Sequence, residues 1–132
     1  MIIKGVEALV AEASQAITTY TAEEAIAMDG DPDTVLVDIR DIRELQRDGR
    51  VPGALHAPRG MLEFWVDPKS RYFKPVFGES RTFVLFCAGG GRSALAALAL
   101  QQMGMTNVAH IGSGFHGWVE AGGDVVASTP RA

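Results

Sequence analysis

The stretch FVLFCAGGGRSALAALAL, residues 83–100, decides how the chain is read. Phe83 to Phe86 form a bulky apolar run, as in a strand of a parallel sheet covered on both faces. Cys87 follows, then Ala88 and the three glycines Gly89, Gly90 and Gly91, and then Arg92 and Ser93 open a segment of helical periodicity. The spacing predicts a helix over 93–103 with Leu95, Leu98, Ala99 and Met103 on its buried face and Gly104 as its stop. A strand therefore passes into a helix through a glycine turn, with the chain's one cysteine at the strand's carboxyl end.

The same alternation extends in both directions. Val6, Leu9, Val10 and Ala13 fit a short amphipathic helix, and Ile17 to Tyr20 a β-branched and aromatic strand. Thr21 with Glu24 is a capping-box signature that starts a helix over 22–28, and DGDPD at 29–33 ends it. TVLVDIR at 34–40 is a second strand, DIRELQRDG at 41–49 a helix stopped by Gly49, and Pro52-Gly53 a turn before a third strand over 54–57. Residues 59–65 are expected to be helical, and 67–80 a polar loop long enough to suggest a functional cover. NVAHI at 107–111 is the fifth strand, followed by a short helix ending near Gly122. Strands alternating with helices predict an α/β fold around a central, mostly parallel five-stranded sheet with helices on both faces. The expected organisation is a leading helix and strand over 1–20 packed on the domain, a main domain over 21–126 and a tail over 127–132.

Composition narrows the function. The 132 residues are 47% apolar and 21% charged, with a net charge of −4, and the basic residues are scattered. A nucleic-acid partner is not expected, because phosphate contacts need clustered Lys and Arg. One cysteine excludes an internal disulfide and a cysteine-cluster metal site, and His56, His110 and His116 lack metal-ligand spacing. No metal and no organic cofactor is expected. The first residues carry Glu7 and Glu12 within the periodic stretch and do not read as a secretory leader. No apolar run approaches the roughly 20 residues of a membrane span, so a cytoplasmic protein without a membrane partner is expected.

In open α/β sheets, sites lie at the carboxyl ends of strands, where Cys87 stands. Glycines can turn several N–H groups inward as a nest for an anion, and the start of the following helix adds about half a positive charge. Arg92 adds a permanent one. These effects favour thiolate over thiol and are expected to draw Cys87 below the ordinary cysteine value of ~8.5, with the sulfur ionised and reachable at the loop's floor. Taken alone, Cys-x4-Arg-Ser leaves three readings open: an inert buried cysteine, a phosphate-binding turn and a nucleophile.

Several ordered motifs resemble those of single-domain rhodaneses, a sulfurtransferase family. LVDIRDIRELQRDGRVPGALHAP supplies Asp38, Arg40, Glu44, Pro52, Gly53 and Ala54; CAGGGRSALAALAL resembles the active-site loop and its helix; GSGFHGWVEAGGDV supplies Gly114, Phe115, Trp118, Ala121 and Gly122. The resemblance spans about Thr21 to Val126. Arg50 stands where the family often has His, and Ser113 where it usually has Gly. The resemblance implies that Cys87 attacks the outer sulfur of a donor such as thiosulfate and becomes a persulfide. Ala88, Gly89, Gly90, Gly91, Arg92 and Ser93 would form the loop that holds it. Cyanide, a thiol or a sulfur-accepting protein would then remove the sulfur. Arg92 either binds the substrate anion or orders the loop through backbone carbonyls. Asp38 and Arg40 support the rim, Asp38 by ordering a loop, and Arg59 and Trp65 border the pocket mouth or simply pack. Trp118 is expected in the core. A non-catalytic binding or sulfur-carrier module and a cysteine phosphatase or arsenate reductase are the alternatives. Phosphatase loops place five residues between Cys and Arg where this chain has four.

Overall fold

The computed structural model describes residues 1–128; residues 129–132, within the expected tail, lie outside the described residues. Five strands form one sheet: β1 (Thr18–Tyr20), β2 (Thr34–Asp38), β3 (Leu55–His56), β4 (Thr82–Phe86) and β5 (Val108–Ile111). Their order is β1-β5-β4-β2-β3, and every pairing is parallel. The helices are α1 (Val6–Ala16), α2 (Ala22–Met28), α3 (Ile42–Asp48), α4 (Leu62–Val66), α5 (Gly91–Gln102) and α6 (Gly114–Glu120). Among the described residues, no helix is long and apolar enough to cross a membrane.

The apolar runs at 35–37 and 83–86 occupy adjacent central strands, and their side chains alternate between two cores. Val35, Val37, Phe83, Leu85 and Cys87 face a core completed by Ala13 of α1, Leu62 of α4 and Ala94, Ala97 and Leu100 of α5. Leu36, Val84 and Phe86 face the other, with Ala25 of α2 and Phe115 and Trp118 of α6. Burying a side chain of this size stabilises the fold by roughly 1.5–3 kcal/mol relative to exposing it.

Two helices begin at reciprocal caps. Thr21 and Glu24 form the expected capping box of α2. Asp41 and Glu44 form a second one on α3, the Asp41 N–H donating to Glu44 Oε2 at 3.0 Å.

The buried face of α5 differs from the expected one. Ser93, Ala94, Ala96, Ala97 and Leu100 are its buried residues, whereas Leu95, Leu98 and Ala99 are half-buried and Met103 is 46% exposed. The helix touches α1 on one side and β4 and β5 on another, so small residues occupy the two crowded sides and the larger ones fill the margins. The loop at 67–80 does not cover Cys87 with its buried anchor. Its 3-10 turn over Pro75–Gly78 inserts Phe77 against Phe83, ring centroids 5.3 Å apart, at the amino end of β4. Cys87 lies four residues further along, about 13 Å away at strand rise.

Candidate active site

Cys87 directly follows β4 and continues its alternation, so its side chain points into the α5-side core. The residue is 1% exposed, which corrects the expectation of a reachable sulfur: Ser93, at the start of α5, lies over it with Oγ 3.6 Å from Sγ. The glycine turn does aim an amide inward, the Gly90 N–H donating to Sγ at 3.1 Å. Gly90 has φ +110°, and a Cβ there would lie 2.1 Å from the Gly112 carbonyl oxygen, so only glycine fits. The helix begins at Gly91, two residues earlier than expected. Among the described residues, no protein acceptor takes the N–H groups of Gly91, Arg92 or Ser93, the orphan donors of the first turn.

The far side of the loop hangs from α6. The Phe115 N–H donates to the Cys87 carbonyl at 2.8 Å and the His116 N–H to that of Ala88 at 3.1 Å. A Cβ on Gly114 would lie 2.5 Å from the Ala88 oxygen, which explains a glycine with φ +63°. Ser113 stands outside these contacts, so its replacement of the usual glycine leaves the seating of the loop intact.

Arg92 neither lies free for an anion nor binds backbone carbonyls. Its Nη1 and Nη2 donate to Glu44 Oε2 and Oε1 at 2.8 and 2.9 Å, a bidentate pair joining α5 to α3. Glu44 is thus a site residue whose role the sequence reading missed, although Asp41-x-x-Glu44 carried the signal of its helix position. The Arg92 hydrogen bonds hold the Glu44 carboxyl below its ordinary value near 4.5. Arg92 is raised in turn, chiefly by Glu44, with Cys87 a smaller contributor that marks the guanidinium as a neighbour of the sulfur.

Asp38 and Arg40 form a buried ion pair, 1% and 0% exposed. Arg40 Nε and Nη2 donate to both carboxylate oxygens of Asp38 at 2.8–3.2 Å, and Nη2 also donates to the Gly49 carbonyl at 2.9 Å. Its guanidinium lies 4.0 Å from the Phe115 ring centroid. The pair ties the end of β2 to the end of α3 and to α6, which holds the loop. Arg59 reaches the same rim through its backbone, its N–H donating to the Ile39 carbonyl, while its side chain pairs with Glu63 at 2.6 Å. Trp65 packs half-buried against the core with the Lys74 ammonium 4.7 Å from its ring centroid. Trp118 is 1% exposed and donates its indole N–H to the Asp124 carbonyl.

Behind the sulfur lies a polar row that the sequence did not reveal. Ser93 Oγ lies 2.9 Å from His110 Nδ1, and His110 Nε2 3.1 Å from Thr19 Oγ1. His110 is 2% exposed, and burial pushes its pKa below the ordinary 6.5, so the ring is neutral at pH 7.

Known proteins resemble the chain in sequence and fold. Residues 21–121 match the rhodanese-like domain. The chain is 52% identical to a protein of unknown function from Rhodopseudomonas palustris, described as a possible tyrosine phosphatase; the two structures superpose with a TM-score of 0.92 over 96% of this chain and 97% of that one. The polysulfide-sulfur transferase homodimer of Wolinella succinogenes is 25% identical, with a TM-score of 0.69 over 92% of this chain and 87% of its own. The mouse thiosulfate sulfurtransferase/rhodanese-like domain-containing protein 3 is 27% identical over 92 residues, 66% of this chain and 59% of the mouse protein, so the match spans little more than half of that relative. With the family match covering most of its length and its cysteine loop seated between the ends of β4, α5 and α6, the chain belongs to the rhodanese-like domain family.

Proposed function

We propose that the protein is a sulfurtransferase working through a persulfide on Cys87. One observation carries the reading: the sole thiol lies at the carboxyl end of β4 with the Gly90 N–H on its sulfur and the unpaired first-turn amides of the 12-residue α5 beside it. Such a cradle stabilises an anionic sulfur and a bound oxyanion. The thiolate attacks the outer sulfur of a sulfane donor; a Cys87 S–S bond forms, the donor's S–S bond breaks, and with thiosulfate the leaving group is sulfite. Cyanide, a thiol or a sulfur-accepting protein then takes the outer sulfur and the Cys87 thiolate returns, dividing one transfer into two steps. Cys87 is the only cysteine, so the acceptor comes from outside the chain. The paired Arg92 disfavours dianionic donors, and weak thiosulfate turnover follows. The chemistry calls for no metal or organic cofactor.

Incubation with thiosulfate or polysulfide is expected to raise the intact mass by about 32 Da, one sulfur atom, and Cys87→Ser to abolish the gain. An unchanged mass with every sulfane donor would leave a binding module. The description of the Rhodopseudomonas relative favours a second reading, phosphoryl transfer. The loop argues against it, because Arg92 follows Cys87 after four residues and is held by Glu44 rather than turned over a phosphate. Aryl phosphate turnover that is lost in Cys87→Ser would decide for the phosphatase.

A further inference from the structure

The row behind the sulfur is unusual for the interior of a sheet. His110 and Thr19 are direct partners in the β1–β5 register, and Leu85 is the partner of His110 on β4. Ser93 meets the ring from α5. The row runs unbroken from Cys87 Sγ through Ser93, His110 Nδ1 and Nε2 to Thr19, an exposed residue on the edge strand. A buried ring with hydrogen bonds at both nitrogens can pass direction from one end to the other, since a neutral imidazole donates at one nitrogen and accepts at the other.

We propose that His110 and Thr19 are positioning residues for Ser93, turning its hydroxyl proton onto the Cys87 sulfur as the thiol ionises and carrying the displaced proton to solvent. The inference deepens the sulfur-transfer reading and rests on it. In the thiol state Cys87 S–H donates to Ser93 Oγ, the Ser93 hydroxyl to Nδ1, and Nε2–H to Thr19 Oγ1. Ionisation moves each proton one place: the S–H bond breaks, Ser93 gains that proton and gives its own to Nδ1, Nε2 gives its proton to Thr19, and Thr19 releases one to water. The ring is neutral before and after, and no electron changes hands. In the final state Thr19 donates to Nε2, Nδ1–H to Ser93, and the Ser93 hydroxyl to the anionic sulfur. A charged acceptor polarises the whole row, so the row stabilises thiolate more than thiol. The same donation favours the inner sulfur as leaving group when an acceptor strips the persulfide. Ser93 Oγ also lies 3.2 Å from the Gly90 carbonyl, a competing acceptor for the hydroxyl proton; with Nδ1–H donating to Oγ that proton is free of the ring, and the charge on the ionised sulfur makes the sulfur the stronger acceptor.

The other charged groups of the site are Arg92, paired with Glu44 of α3, and the buried Asp38–Arg40 pair at the end of β2. None touches His110, whose shift has burial as its cause.

The test is the second-order rate of Cys87 alkylation across about pH 6 to 9. Near neutral pH, Ser93→Ala is expected to react about tenfold and Thr19→Val about threefold more slowly than wild type, with rates converging at high pH where every variant is ionised. Thr19→Ser restores the wild-type rate, and the double variant Ser93→Ala/Thr19→Val is no slower than Ser93→Ala alone, since the row is already cut. A wild-type rate in Thr19→Val, or single effects that multiply in the double variant, overturns the proposal. Intact mass after thiosulfate separates the two readings. The alkylation pattern without any sulfur gain in wild type removes the transferase and keeps the row; sulfur gain with a wild-type rate in Thr19→Val does the reverse.

Discussion

Replacing Glu44 with Gln tests whether the Arg92–Glu44 pair sets donor preference. The carboxylate accepts from Arg92 at 2.8 and 2.9 Å, so a donor on the sulfur side of the guanidinium sits about 6 Å from it, beyond the width of the group. In a water-like dielectric a dianion and a carboxylate at that distance repel by about 1.4 kcal/mol, a factor of about ten in affinity. Gln keeps an oxygen for the Asp41 N–H and for one guanidinium nitrogen but removes the charge. Steady-state thiosulfate:cyanide assays at low salt are therefore expected to show KM about tenfold lower in Glu44→Gln, with kcat within about twofold. The gain shrinks at 1 M salt, where the screening length is about 3 Å. The stability change stays small, about 1 kcal/mol or less, because the Arg92 side chain is 45% exposed. An unchanged or higher KM in a variant that melts like wild type refutes the argument.

Arg40→Ala leaves the buried Asp38 carboxylate uncompensated and is expected to lose about 3–5 kcal/mol in urea unfolding, with the double variant Asp38→Asn/Arg40→Met recovering part of it; a loss below about 1 kcal/mol would show that the pair is not what braces the rim. Gly90→Ala forces a left-handed backbone on alanine and drives its Cβ into the Gly112 carbonyl, so a loss of about 3 kcal/mol or more is expected, checked by the same titration. His110 is held neutral by burial, and its folded pKa lies below the unfolded value near 6.5. The unfolded chain takes up a proton first, so the stability is full above about 6.5 and is lost as pH drops from there through the lowered value; the urea midpoint at mildly acidic pH is expected to fall less in His110→Gln than in wild type.

The succession of strands and helices along the chain was legible because it rests on local pattern. Apolar runs at 35–37 and 83–86, the cap at Thr21 and the glycines after Cys87 each declare an element or a turn without knowledge of the rest. The faces of α5 were not legible, because a helix pressed from two sides loses the one-sided periodicity on which such a reading depends. Charge partners were hidden for a different reason. Glu44 and Arg92 are 48 residues apart, and nothing local says that a loop cation will be met by a capping glutamate. His110 gave no signal either, since its partners Thr19 and Ser93 come from an edge strand and a helix whose registers only the assembled sheet defines. The sulfur was placed at the right end of the right strand, but its burial follows from strand alternation carried one residue past β4, against which glycine content says nothing.

The rhodanese-like match starts at Thr21, immediately after β1. Cutting the chain to that boundary would strip Thr18–Tyr20 from β5 and leave Val108–Ile111 as an open, apolar border with unmatched amides. Such a fragment would invite a second molecule to supply the missing ribbon, and aggregation would be the signature of having mistaken the limit of a family's shared sequence for the limit of the unit that folds.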